Sequence, residues 1–368
     1  MALTLNLLFH LHHETEAERP TPRGYAEVPR LIVQADDLPI GCAWLAEHHL
    51  DPMRGRLPAP LLLAVAAARE TRRIRVGPCV LVLPLRHPLA AAEELATADV
   101  LMGGRLAAGV GSGGNPEEFA AFGVPLDERR ARYAESLDIV TRALRGERFG
   151  HMGDYYQFPD VALVPQPLQP LGELLWVAAS SVTAATLAGH SGGNLLLSRG
   201  MPLDALREQI AAYRAARGAA GHDPDTARIQ LTRGVYVAAT DDDAWREGAE
   251  GIRRYARRAT RESGAENDLQ ELARAGDFIV GAPATCAEGI HALAAALPIT
   301  DLACDIALIG MAYEQIARSL DLLGRAVVPL LKGYGSALSS EGTLSRAAMP
   351  EQHPPLRARR SPRRGLPP

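Results

Sequence analysis

The chain has 368 residues, 47% of them hydrophobic, which is enough core for one large α/β domain or two ordinary ones and excludes extensive intrinsic disorder. Its 39 basic and 43 acidic side chains leave a formal charge of −4, so no global positive field exists to hold nucleic acid or an anionic membrane surface. Cys42, Cys79, Cys286 and Cys304 form no C-x-x-C pair, residues 1–10 lack the marks of a secretion signal, and the longest apolar run, Ala59 to Ala68, is too short to span a bilayer. A cytoplasmic protein with reduced thiols is the expectation.

In chain order, strand-like runs alternate with helix-period stretches. Leu3–Phe9 reads as a strand and Tyr25–Leu38 as a helix, then Ala43–Glu47 and Pro60–Thr71, Ile74–Leu83 and Leu89–Leu101, Leu106–Gly111 and Glu128–Leu144. The second half continues with Leu174–Ala178 and Thr183–Ala188, Asn194–Ser198 and Leu203–Arg217, Ile229–Ala238 and Asp243–Ala259, Leu302–Ile309 and Tyr313–Leu331. Eight strands, each followed by a helix, predict an α/β fold of the (β/α)8 TIM-barrel type.

Two insertions are expected. Gly150–Leu171, with six prolines and glycines, precedes strand five, and the polar stretch Ser263–Ala275 precedes strand eight as a lid over the mouth. Residues 1–332 are expected to form this one domain and residues 333–368, Gly/Ser- and then Pro/Arg-rich, a disordered tail.

Barrels of this kind place their chemistry at the C-terminal ends of the strands. Strand two ends in Glu47-His48-His49, where an imidazole can act as general base or bind a ligand; a helix cap or a salt bridge is the plainer reading. Strand four ends in Gly109-Val-Gly-Ser-Gly-Gly114, a formal G-x-G-x-x-G match in the wrong place for a dinucleotide fingerprint, with Asn115-Pro116 interrupting the helix entry. It reads as a glycine-opened loop that lets a flat ring approach the backbone, or as a tight turn alone. His10-Leu11-His12 resembles the H-x-H of metal-dependent amidohydrolase barrels, but strands five and six lack the histidines such a site needs, so no metal is expected. After strand five, Ser180, Ser181 and Thr183 either cap a helix or join its N–H groups around a phosphate.

Together these segments resemble the flavin-dependent luciferase-like monooxygenases, the family of bacterial luciferase and the alkanesulfonate monooxygenases. The resemblance is carried by Trp44–His49, Val76–Pro88, Glu93–Ala96, Gly103–Arg105, Gly109–Gly113, Glu118–Gly123, Trp176–Ser180 through Thr183, and Val327–Pro329. It implies that His48 sits over the flavin and acts on the oxygen intermediate, a flavin peroxide, or on the substrate, with Glu47 supporting it. It also implies a non-proline cis peptide at Cys79-Val80 against the ring, and phosphate-binding hydroxyls at Ser180 and Thr183. Glu118 matches a family acid in helix four.

Where bacterial luciferase has a cysteine and then an arginine, this chain has Gly111 and Ser112, and Ala179 replaces a glutamate near the ring. These departures argue against light emission and leave the phosphate without its cation, for which Arg199 at the mouth of strand six is nominated. The implied activity is insertion of one oxygen atom from O2 into a small organic substrate by reduced FMN, which a separate flavin reductase supplies, in a homodimer. The rival readings are an F420-dependent hydride-transfer oxidoreductase and a non-catalytic flavin-binding protein.

Overall fold

The computed structural model describes residues 3–11, 21–51, 54–260, 269–275 and 277–331; the expected tail at 333–368 and His12 lie outside the described residues. In chain order the elements are β1 (Thr4–Phe9), α1 (Thr21–Asp36), β2 (Cys42–Leu45), α2 (Pro60–Glu70), β3 (Arg75–Pro78), β4 (Leu81–Val82), α3 (Pro88–Leu101) and β5 (Ala108–Gly111). There follow α4 (Pro116–Ala121), α5 (Arg129–Leu144), β6 (Arg148–Met152), β7 (Gln157–Ala162), α6 (Leu171–Leu174), β8 (Leu175–Ala179), α7 (Val182–Ser191), β9 (Asn194–Leu197) and α8 (Leu203–Ala219). The chain continues through β10 (Ile229–Val237), α9 (Asp241–Thr260), α10 (Leu269–Ala275), β11 (Phe278–Gly281), α11 (Pro283–Ala296), β12 (Asp301–Asp305), α12 (Tyr313–Leu322) and α13 (Val328–Leu330).

The strands form one parallel sheet in the order β3-β2-β1-β12-β10-β9-β8-β5-β4, with β11 added to β10. A bridge between Val76 and Leu106 joins β3 to the start of β5 and brings the sheet nearly to closure. This is the TIM barrel expected from the alternation of strands and helices. The third expected strand is split: β3 pairs with β2, β4 pairs with β5, and the cis peptide Cys79-Val80 lies between them.

The insertion before strand five is an antiparallel hairpin, β6 with β7. The one before strand eight carries more elements than expected. Residues 261–268 lie outside the described residues, and α10 leads into a further strand and helix, β11 and α11. Strand twelve stops at Asp305; Ile306, Leu308 and Ile309 stay buried but leave the sheet.

Successive side chains of a strand face opposite sides, and this alternation sorts the core. Leu8, Cys42, Trp44, Ala46, Ala107, Trp176, Leu196 and Ala303 fill the barrel interior, whereas Leu7, Leu45, Val177 and Ala179 belong to the larger cluster under the helices. Below the mouth, the rings of Trp44 and Trp176 meet edge to face at 5.5 Å. Gln230 Oε1 accepts from Trp44 Nε1 at 2.8 Å and from Asn6 Nδ2 at 2.7 Å. These contacts fill the barrel below its mouth. Among the described residues no helix is long and apolar enough to cross a membrane.

Candidate active site

Strand parity aims the polar end of β2. Trp44 and Ala46 face the interior, so His48 follows them inward while Glu47 and His49 turn toward the helices. His48 keeps about a quarter of its side chain exposed (24%), and its Nδ1 lies 3.7 Å from Glu118 Oε1. Its ring stacks on that of His10, at the end of β1, with centroids 5.9 Å apart.

Glu47 serves a different pair. Its fully buried carboxylate accepts from His49 Nε2 at 2.9 Å and from Arg86 Nη2 at 2.9 Å, and the Val82 amide reaches it at 3.4 Å. It fastens the end of β2 to the segment after the cis peptide. The acid beside His48 is Glu118, not Glu47 as the resemblance implied.

Asn115 and Pro116 do not interrupt a helix entry but make one. Asn115 accepts the Glu117 amide at 3.2 Å and Pro116 takes the first helical position, where its missing N–H costs nothing. The resulting turn of α4 directs Glu118 back to β2, where it also accepts the His49 amide at 3.0 Å. Burial pushes the Glu118 carboxyl up, but the neighbouring His48, the hydrogen bond from the His49 amide and the nearby Asn115 outweigh it and hold the group below the ordinary carboxylate value.

On the β3–β8 side, Cys79, Val80 and Ala178 are half-buried: they rest on the interior cluster and keep one apolar face toward the mouth. Burial pushes the Cys79 thiol up to about 12, so it is neutral and part of this floor. Gly111 has no side chain because Val80 occupies that space: a Cβ would lie 2.5 Å from Val80 Cγ2. The glycine run thus packs β5 against the β3–β4 break. Ser112 is half-buried, and among the described residues its hydroxyl donates to the Gly113 carbonyl alone, at 3.4 Å. Ala179 is buried among the helix-side residues, so it is Ala178 that faces the mouth.

At the N-terminus of α7 the three hydroxyls divide their work. Ser181 caps the helix by accepting the Ala184 amide at 3.2 Å. Ser180 and Thr183 are exposed and, among the described residues, make no hydrogen bond, so with the free N–H groups of the first turn they could hold a phosphate. Arg199 is not the cation for it. Its Nη2 is ion-paired with Asp305 Oδ2, and the guanidinium lies over the rings of Tyr255 and Phe278 at 4.4 and 5.1 Å.

The sequence reading missed this pair because its eighth strand ran through Asp305 to Ile309; the signal was a lone acid amid apolar residues. Among the described residues no cluster of His, Cys, Asp or Glu is arranged to hold a metal ion.

The C-terminal mouth of this parallel barrel thus carries an apolar floor, exposed hydroxyls on a helix N-terminus and a partly exposed imidazole, the makings of an enzyme site. The sequence pattern of the luciferase-like monooxygenases matches residues 1–300, and the chain belongs to that family as a flavin-dependent monooxygenase. It is 30% identical to 4-hydroxyprotoasukamycin monooxygenase of Streptomyces nodosus subsp. asukaensis, over 79% of this chain and 82% of that one. It is 28% identical to the oxygenase component of the flavin-dependent trigonelline monooxygenase of Acinetobacter baylyi, over 64% and 65%. An F420-dependent glucose-6-phosphate dehydrogenase of Beutenbergia cavernae is 32% identical, over 64% and 70%. Among solved structures, the oxygenating constituent of 3,6-diketocamphane monooxygenase from Pseudomonas putida, a type II Baeyer–Villiger monooxygenase in complex with FMN, superposes with a TM-score of 0.74 at 25% identity, covering 89% of this chain and 99% of that one.

Proposed function

We propose that the protein is the oxygenase component of a two-component system, which takes reduced FMN from a separate flavin reductase and inserts one atom of O2 into a small organic substrate. The observation that carries this reading is the pairing of the apolar floor with the unpaired hydroxyls of Ser180 and Thr183. The residues fit the cofactor: Cys79, Val80 and Ala178 would bear the ring, and Ser180, Thr183 and the α7 amides its phosphate. Bound reduced flavin supplies the electrons that activate O2. The relative named as an oxygenase component supports the separate reductase.

The chain's own residues do the rest. The floor keeps water from one side of the site, which strengthens every polar interaction above it. Glu118 stands 3.7 Å from Nδ1 of His48, on one side of the ring, and Nε2 is the atom that would hold or move a proton at the mouth. Glu47, through His49 and Arg86, keeps the end of β2 locked to the floor.

A homodimer is part of the proposal. Between α2 and α3 lies a groove of about 490 Å3 lined by Leu61, Leu62, Val65 and Leu101, and Leu62 is 76% exposed.

The test compares cofactors. FMN and F420 are titrated into the protein, and oxygen uptake is then followed with a reductase and NADH. FMN binding with uptake that depends on the reductase is expected. Binding of F420 with anaerobic turnover of its reduced form would instead make the protein a hydride-transfer enzyme. FMN binding without oxygen chemistry would make it a flavin carrier.

A further inference from the structure

The mouth has a second wall, opposite in character to the apolar floor. β10 passes between β9 and β12, and at Gly234 it is in register with both Asp305 of β12 and Phe278 of β11. Gln230, which bonds Asn6 and Trp44 inside the barrel, shares strand parity with Gly234, so the missing side chain of Gly234 points inward. A Cβ there would lie 2.9 Å from Arg199 Nη1 and would run into the ring of Phe278. The guanidinium therefore crosses β10 through the space that glycine leaves, into the barrel mouth, to meet Asp305.

The two side chains are 91% and 93% buried, yet only half of each is used. Arg199 Nη2 bonds Asp305 Oδ2, while Arg199 Nη1 and Asp305 Oδ1 are buried and find no partner among the described residues. Buried groups of this kind are nearly always satisfied, and an unpartnered donor and acceptor on two side chains that already share a bond mark a place where a ligand would complete the set. The pair is neutral as a whole, because the carboxylate cancels the guanidinium. An anionic ligand would have to displace Asp305, and a bare hydrocarbon would leave both atoms unpaired.

We propose that Arg199 and Asp305 read the substrate, and that its class is a neutral molecule carrying both a carbonyl and a hydroxyl. Arg199 Nη1 donates to the carbonyl oxygen, and Asp305 Oδ1 accepts from the hydroxyl. The apolar remainder of the substrate lies toward the floor that the proposed function assigns to the flavin, so this inference rests on that reading. Asp305 Oδ2 also stands 3.8 Å from His10 Nε2, and His10 stacks on His48, so the polar end of the substrate is held beside the imidazole pair.

The test measures dissociation constants by ligand-observed NMR on the FMN-loaded protein. The probes are 2-hydroxy-1-tetralone, 1-tetralone, tetralin and 1-naphthoate, which share a ring system and differ in polar groups. The hydroxyketone is expected to bind at least about ten-fold more tightly than the other three, the scale of one net hydrogen bond. In the double variant Arg199→Met/Asp305→Leu, which removes both charges together and leaves neither buried alone, that preference is expected to fall to within about two-fold. Asp305→Asn, close to isosteric, keeps the assay informative if the double variant does not fold; it should lose most of the preference.

Equal binding of the four probes, tightest binding of 1-naphthoate, or a preference that survives in the variants would each overturn the proposal. FMN affinity, read separately by fluorescence quenching, reports on the cofactor reading. A protein that discriminates the probes but does not bind FMN refutes that reading and leaves this one standing.

Discussion

Gly55 stands against the imidazole of His48: a Cβ on Gly55 would lie 2.9 Å from His48 Cδ2 and 3.3 Å from its Cβ. The surrounding backbone is tied on both sides, since the His48 amide donates to the Leu57 carbonyl at 3.2 Å and the Arg56 amide to the Leu11 carbonyl at 2.8 Å. A methyl group there must move the ring. Gly55→Ala is therefore expected to lower product formation by about ten-fold or more while FMN still binds, and His48→Ala by about 10²-fold, the scale of a lost acid–base group. Steady-state assays with a reductase, scored for product against released hydrogen peroxide, check both. Full coupled turnover in His48→Ala would remove this histidine from the reaction.

His49→Ala should behave differently. It takes one of two side-chain partners from the fully buried Glu47 and leaves Arg86 to hold it. A loss of about 1–3 kcal/mol in unfolding free energy is expected, with turnover at low temperature close to that of the parent. Urea titration beside an assay separates the two effects, and a stable but inactive variant would contradict the assignment.

Glu118 carries a pH signature. Its carboxyl titrates below the ordinary value of 4.5 in the fold, so its stabilisation is present in full above 4.5 and is lost as the pH falls through the lower, folded value. Glu118→Gln is expected to cost about 1–3 kcal/mol at pH 7. The gap from the parent should close toward pH 3. Urea midpoints at several pH values measure it, and a gap that widened in acid would have the wrong sign.

Ser180 and Thr183 should make FMN bind more tightly than riboflavin. Hydrogen bonds to a charged group contribute about 1.5–3 kcal/mol each, so the preference is easily measured by fluorescence, and Ser180→Ala with Thr183→Ala should erase it. Equal affinity of the parent for both flavins would rule this phosphate site out.

The groove between α2 and α3 gives a test of assembly. Leu62→Glu places a charge on its apolar rim and is expected to yield a monomer at micromolar concentration by light scattering. A parent protein that is itself monomeric would defeat the dimer.

How far the fold and site could be read in advance depended on how local the signal was. The eight barrel strands could be read because each is a run of apolar residues before a helix-period stretch. β11 was missed because it is only Phe278–Gly281, four residues behind a polar, helix-forming stretch that reads as a lid. The partners of Glu47 and Arg199 were misassigned because Arg86 and Asp305 come from distant segments of the chain. Arg86 lies 39 residues from Glu47, and Asp305 lies 106 from Arg199, so only the closed sheet brings them together.

β10 exchanges neighbours partway along: Ile229–Leu231 pair with β9, and Gly234–Val237 with β11. The barrel therefore has a seam just where Arg199 crosses, and the ring of Phe278 that covers the guanidinium belongs to the added strand. The apolar floor lies on β3, β4, β5 and β8, whose pairing does not involve β11. Changes in β11 and α11 can reshape what surrounds Arg199 without disturbing a hydrogen bond beneath the floor. In an enzyme lineage, that separates the part free to drift toward new molecules from the part that must stay the same.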